Sequence, residues 1–267
     1  MITLASDFGS PYPAAMKGVI SRRTDAKLLD VAHDLPRGDP CAGAFWLRFV
    51  LPEFPPAVHC AVVDPGVGTD RAALVVRAGE HAIVAPDNGL AIPVARELAA
   101  GTAPEAEVEH NPIEVFEIDV ESPASATFHG RDVFAPMAAE VHEAGVDSLH
   151  EMDRLSHTQE FVDIAFPEPS IDRNAAEEPI AVEGEVLVVD TFGNVVTNVP
   201  GEVLRDRDTV EVNGDRVKVR DTFGEVDRGE KLVTVGSHGY VECDVNDGRG
   251  DERFRLSPRQ RVQLAFE

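Results

Sequence analysis

Lysine is nearly missing from this 267-residue chain: Lys17, Lys27, Lys218 and Lys231 are the only ones. Cysteine is equally sparse. Cys41, Cys60 and Cys243 are odd in number, far apart and without CxxC spacing, which excludes a disulfide framework or a zinc ribbon and fits a reducing cytoplasm. No apolar run approaches the length that spans a bilayer, and Met1-Ile2-Thr3-Leu4 lacks the basic start of a secretory signal. A soluble, cytoplasmic chain is therefore expected. The GK[ST] of a phosphate-cradling loop is missing, as are HxxxH and HExxH metal spacings, internal repeats and low-complexity tracts. Positive charge is short overall, with 24 Lys+Arg against 48 Asp+Glu and a formal net charge of −24. Such a surface repels phosphate backbones and anionic headgroups, so neither nucleic acid nor membrane is an expected partner.

What is present is acid, spread along the whole chain, with an ordinary apolar fraction of 43%. A hydrated carboxylate shell with little lysine suits concentrated salt, where self-repulsion is screened to short range. The alternative is a merely acidic protein of dilute cytosol.

The first 150 residues alternate strand-like and helix-like runs. Strands are expected at 2–6, 27–31, 58–63, 74–76 and 82–84, and helices at 13–23, capped by Ser10, and at 40–50. This order implies an α/β N-terminal domain with a largely parallel sheet flanked by helices. Ligands of such sheets bind beyond the carboxyl ends of the strands, where Asp7, Asp34, Asp64 and Asp87 all fall. Four acidic loops are thus expected to converge on one crevice. Residues 167–184, bracketed by Pro167, Pro169 and Pro179 and without apolar periodicity, read as a linker between an N-terminal domain (1–166) and a C-terminal one (185–267). Beyond it, short valine-rich strands separated by turns, with the hairpin signal Asn213-Gly214, imply a smaller all-β, barrel-like domain.

Few residues in this frame are placed for chemistry. Asp7, in Ser6-Asp7-Phe8-Gly9, can take a ribose diol by bidentate hydrogen bonds, hold a metal, or merely close a turn. In Asp64-Pro65-Gly66-Val67-Gly68-Thr69-Asp70-Arg71 the glycines let a ligand approach the backbone, and Arg71 can return its guanidinium to Asp64. A structural turn closed by an ion pair is the other reading. His129, in Phe128-His129-Gly130-Arg131-Asp132, sits just before a helix and can serve as base, shuttle or water-orienting donor, or simply be structural. His33 beside Asp34 is a weak metal pair. Asp190-Thr191-Phe192-Gly193-Asn194 sets an Asp and an Asn around an aromatic ring, enough to hold the charged end of an amino acid or to build an elaborate turn; Ser237-His238-Gly239-Tyr240 is a loop of the same kind.

Taken in order, SDFG, DPGVGTDR, PDNG, FHGRDVFAP, DTFGNVVTN and GSHGY resemble the S-adenosylmethionine hydroxide adenosyltransferases, relatives of fluorinase and chlorinase, over almost the whole chain. The resemblance implies hydrolysis of S-adenosylmethionine to adenosine and L-methionine, with no cofactor and no metal. It implies a water-holding triad of Asp64, Arg71 and His129, and a ribose-binding Asp7. Phe128 would contact the adenosine, Asp190, Asn194 and Ser237 the methionine portion, and Phe192 the adenine. It also implies a homotrimer whose sites lie at subunit interfaces. Two departures stand out: Gly38 occupies the place of a fluorinase tryptophan, and 246–252 is more acidic than the family's adenine-binding end. Gly130 stands where fluorinase has a halide-touching serine, which disfavours halide transfer.

The chemistry is consistent with that resemblance. Ribose C5′ already carries a sulfonium, so methionine leaves as a neutral thioether without metal or acid. The difficulty lies in fixing water in line with the C–S bond and taking its proton. A metal-dependent nucleotide phosphohydrolase and a non-catalytic S-adenosylmethionine sensor are the competing readings. The first lacks metal-ligand spacings; the second has no use for a water-activating cluster.

Overall fold

The computed structural model describes residues 1–102, 113–120 and 124–266, which divide into two compact units, Met1–Ala165 and Phe166–Glu267.

In the first unit a seven-stranded sheet runs in the order β2 (Leu28–Ala32), β1 (Ile2–Ser6), β3 (Val58–Val62), β5 (His81–Pro86), β4 (Ala73–Ala78), β6 (Ile113–Ile118) and β7 (Leu155–Thr158). The first four are parallel, and β1, β3 and β5 are buried along their length because helices cover both faces. Helices α1 (Tyr12–Ser21) and α4 (Ala135–Ala144) lie on one face, where Ile2, Leu4, Met16, Ile20, Phe116, Phe134 and Met137 form the core. Two further helices, α2 (Pro40–Val50) and α3 (Ala91–Thr102), pack against each other, and α3 packs on β4 and β5.

Two local expectations change. β4 runs antiparallel to β5, since Gly79 and Glu80 leave no room for a crossover helix. Ser10 does not cap α1: the helix starts at Tyr12, one residue earlier than expected, Pro11 holds the N-cap position, Ser10 is exposed, and no side chain caps the end. Pro13 in the first turn carries no N–H, so fewer donors need a partner there. The cap appears instead on α2, where Asp39 accepts from Ala42 N at 3.1 Å ahead of Pro40.

A polar chain crosses the core. Thr3 Oγ1 lies 2.8 Å from His59 Nδ1, and His59 Nε2 lies 2.9 Å from His81 Nδ1, joining β1, β3 and β5. Burial holds the His59 imidazole down to about 3, with the neighbouring His81 adding to the effect. The unfolded chain takes this proton near pH 6.5 and the folded one does not. The stabilisation is therefore whole above 6.5 and falls by about 1.4 kcal/mol per pH unit between there and about 3. Urea melts from pH 7 to 4 should show this slope in the wild type minus His59→Gln difference, which cancels the carboxylates. Equal slopes in the two proteins would assign the acid sensitivity elsewhere.

The second unit is a closed seven-stranded barrel. Its order is β10 (Val195–Pro200), β14 (Tyr240–Val245), β13 (Lys231–Val235), β12 (Asp215–Val219), β11 (Thr209–Val212), β15 (Arg261–Ala265) and β9 (Pro179–Val189), with β9 pairing back to β10. Alternate residues such as Val182, Val210, Val241 and Leu264 fill the interior. Asn213 and Gly214 turn β11 into β12, both at positive φ as a tight hairpin demands.

The stretch 167–184, expected as a linker, carries β8 (Ser170–Arg173) and the opening of β9. No residue of β8 is buried and only Val182 and Gly184 are in the opening of β9, so little apolar periodicity is left to read there, and Pro179 sits at the first position of its strand, where a missing N–H is tolerated.

Candidate active site

The strand order of the first unit reverses at β1, with β2 on one side and β3 on the other. A crevice opens at such a switch point, beyond the carboxyl ends of the strands. Asp7 follows β1 and Asp64 follows β3, and both line a cavity of about 640 Å³ together with Phe8, Tyr12, Gly38, Phe128 and His129. The other two strand-end carboxylates do not join them. Asp87 Oδ1 accepts Val162 N at 2.7 Å, and Asp34 is exposed.

Arg71 folds back on Asp64: Nε donates to Oδ1 at 2.7 Å and Nη2 donates to Oδ2. Both side chains are nearly buried, at 11% and 6% exposure, and the guanidinium carbon stands 5.1 Å from the Phe134 ring centre. The loop that carries them depends on Gly68. Its φ is +80°, and a Cβ there would fall 2.7 Å from Ala126 O, so a side chain would push the 64–71 loop off the segment leading to His129.

His129 completes the group at the end of that segment, where one π-turn (Gly130–Phe134) leads into α4. Arg71 Nη2 donates to its Nδ1 at 3.2 Å. A guanidinium only donates, so Nδ1 accepts, the ring is neutral and its proton sits on Nε2. Its acidity agrees: burial first, then the Arg71 charge, lowers the imidazole from its ordinary value, against weaker opposition from Asp64 and Asp132. The arrangement therefore offers a neutral N–H donor beside a carboxylate clamped by a cation.

Asp7 Oδ2 accepts Gly38 N at 2.7 Å. Where a bulky wall is missing, the Gly38 backbone itself steadies the carboxylate. Phe128 is set edge-on to Phe8 and Tyr12, at centroid distances of 6.2 and 5.4 Å, giving the cavity an aromatic side. The pairing of His33 with Asp34 is not found: its ring nitrogens meet Ser6 and Asp30. Among the described residues no three His, Cys, Asp or Glu side chains come together as metal ligands.

The barrel unit carries the remaining candidates. Asp190 and Asn194 form one turn: Asn194 N and Nδ2 donate to the Asp190 carboxylate at 2.9 and 3.0 Å. Between them Phe192 stands 77% exposed. Ser237 is exposed at the tip of a turn closed by Gly236 N to Tyr240 O at 2.8 Å. The acidic stretch 246–252 braces the Asp190 turn, with Arg249 Nη1 donating to Thr191 O at 3.1 Å and Asp251 N to Gly193 O at 3.0 Å. Sequence reasoning passed over Asp244, which is fully buried beside Glu242. Burial first, then the charges of Glu242 and Asp190, pushes its carboxyl up to about 8. The local signal is the spacing Glu242-Cys243-Asp244, which puts two acids on one side of β14; the burial and the Asp190 charge come from the rest of the barrel.

Residues 2–153 match the SAM hydroxide adenosyltransferase N-terminal domain and residues 184–263 the C-terminal domain of the same family. The chain belongs to the SAM hydroxide adenosyltransferases. Curated relatives in this family include the (R)-S-adenosyl-L-methionine hydrolases of Salinispora tropica, 37% identical over 98% of this chain and 97% of that one, and of Thermus thermophilus, 37% identical over 97% of each. A Methanocaldococcus jannaschii protein of the same name is 33% identical over 91% of this chain and 87% of its own. Among solved structures, an uncharacterised conserved protein from Thermotoga maritima superposes with a TM-score of 0.80 at 30% identity, covering 99% of this chain and 100% of that one. A conserved hypothetical protein from Thermus thermophilus reaches 0.71 at 33% identity, covering 98% of each. Both family matches stop short of residues 154–183, the stretch that holds β7, β8 and the opening of β9.

Proposed function

We propose that this family member hydrolyses S-adenosyl-L-methionine by attack of water at ribose C5′, releasing adenosine, L-methionine and one proton. The observation that carries the reading is the hydrogen-bonded group Asp64–Arg71–His129, whose Asp64 and His129 line the same cavity as Asp7. In the proposed complex Asp7 takes the ribose diol and Phe128 lies against the adenosine. Water is held between the Nε2–H of neutral His129, which donates, and Asp64, which accepts. The lone pair of His129 is engaged by Arg71, so the proton shed by water passes to the Asp64 side. Arg71 fixes both partners and offsets the charge of Asp64. The C–S bond breaks as the C–O bond forms, its electron pair staying on sulfur as a neutral thioether.

Asp190, Asn194, Phe192 and Ser237 then supply the methionine and adenine contacts from a second copy, in a homotrimer. Support for this part is the exposure of Phe192 on a turn whose polar groups are already ordered. No described helix is long and apolar enough to cross a membrane, and a reducing, cytoplasmic setting fits the free thiols of Cys41, Cys60 and Cys243.

Incubation with S-adenosylmethionine in ¹⁸O-water, with and without excess chloride, tests the proposal. The label should enter the 5′-hydroxyl of adenosine and be missing from methionine, with no halogenated nucleoside at any chloride concentration. Label in methionine, or a 5′-halo product, would overturn it.

A further inference from the structure

A second relay of side chains lies at the root of Asp7. His33 Nδ1 stands 2.7 Å from Ser6 Oγ, and His33 Nε2 stands 3.0 Å from Asp30 Oδ1, whose other oxygen accepts Lys17 Nζ at 2.9 Å. A carboxylate only accepts, so Nε2 donates to Asp30, and Nδ1 is left to bond the Ser6 hydroxyl. The geometry is that of a serine–histidine–aspartate chain, yet Ser6 is fully buried and no substrate reaches it. Its reach is structural: Ser6 directly precedes Asp7.

The backbone repeats the connection. Leu35 N donates to Ser6 O at 3.2 Å and Gly9 N donates to His33 O at 2.9 Å, so the loops after β1 and β2 are tied on both sides of Asp7. Residues 33–38 end at Gly38, whose N–H holds Asp7 Oδ2. The Asp7 carboxylate is therefore aimed by a loop that His33 anchors.

We propose that His33, acting through Ser6, is the positioning residue that holds Asp7 in the orientation that takes both hydroxyls of a ribose. The inference rests on the reading of Asp7 as the ribose acceptor. It assigns to the Lys17–Asp30–His33–Ser6 chain a role in recognising a cis-diol, separate from the water site of Asp64, Arg71 and His129.

The test compares adenosine with 2′,3′-dideoxyadenosine as competitive inhibitors, in the wild type, Ser6→Ala, His33→Asn and Asp7→Ala. Ser6→Ala deletes one oxygen, and melting curves check that each variant is folded. The wild type should prefer adenosine, and Asp7→Ala should abolish the preference. In Ser6→Ala and His33→Asn adenosine should weaken roughly threefold to tenfold, the worth of one hydrogen bond, while the dideoxy compound is unchanged. KM for S-adenosylmethionine should rise by the same factor with kcat held. Equal weakening of both inhibitors, or of neither, overturns the role of His33 while leaving Asp7 as the acceptor. A wild type indifferent to the diol overturns the reading of Asp7, and this proposal with it.

Discussion

Asp64→Asn is expected to bind S-adenosylmethionine nearly as the wild type does and to lose turnover by a factor on the order of 10²–10⁴. The substitution keeps the shape of the side chain and removes the acceptor. An amide presents one oxygen where the carboxylate presented two, so one arm of the Arg71 fork meets an N–H instead of an oxygen. Arg71 then sits almost buried without a counter-charge, and its bond to His129 Nδ1 is disturbed as well. Water loses both its acceptor and a fixed donor, whereas Asp7 and Phe128 are untouched. Titration calorimetry with S-adenosylmethionine separates binding from chemistry, and a melting curve separates both from folding. Wild-type turnover in this variant would remove Asp64 from the mechanism. A selective loss of binding would mean that the group holds substrate and not water.

Dialysis from molar salt to about 0.01 M is expected to dissociate the protein and lower its melting temperature by roughly 10 °C, the equivalent of several kcal/mol. The cause is the formal charge of −24. The Debye length lengthens from about 3 Å at 1 M to about 30 Å at 0.01 M, so carboxylates that ignore one another in brine repel across a whole unit in dilute buffer. Ion pairs such as Arg96–Asp163 and Arg261–Glu183 are exposed and offset little of this. Assembly concentrates the same charge, so association should fail before folding does. Sedimentation in molar salt should give about three times the monomer mass of 28.8 kDa. An unchanged melting temperature in dilute buffer would remove the adaptation to salt, and a fully active monomer would remove the trimer.

Much of this protein was legible from residues close together in the chain. Strand–helix alternation led to the α/β unit, and Asn213-Gly214 to its hairpin, because turn geometry is chosen by two residues. The return of Arg71 to Asp64, seven positions apart, follows from a glycine-containing loop short enough for one side chain to span. The roles given to His129, Asp190, Phe192, Asn194 and Ser237 came from resemblance, since their spacing alone left a structural turn equally open. Only the tertiary structure decided the rest. The parallel strands bring Asp7 beside Asp64 and leave Asp87 turned to Val162; β9 closes a barrel across a stretch that reads as linker. It also pairs His33 with Ser6 and Asp30 where the neighbour in sequence was Asp34. Asp244 is the sharpest case: an aspartate in the sequence says nothing of its charge. Enclosure in the barrel, with Glu242 on the same strand and Asp190 brought in from a turn distant in the chain, sets its protonation, because the cost of an unsolvated charge depends on what surrounds it.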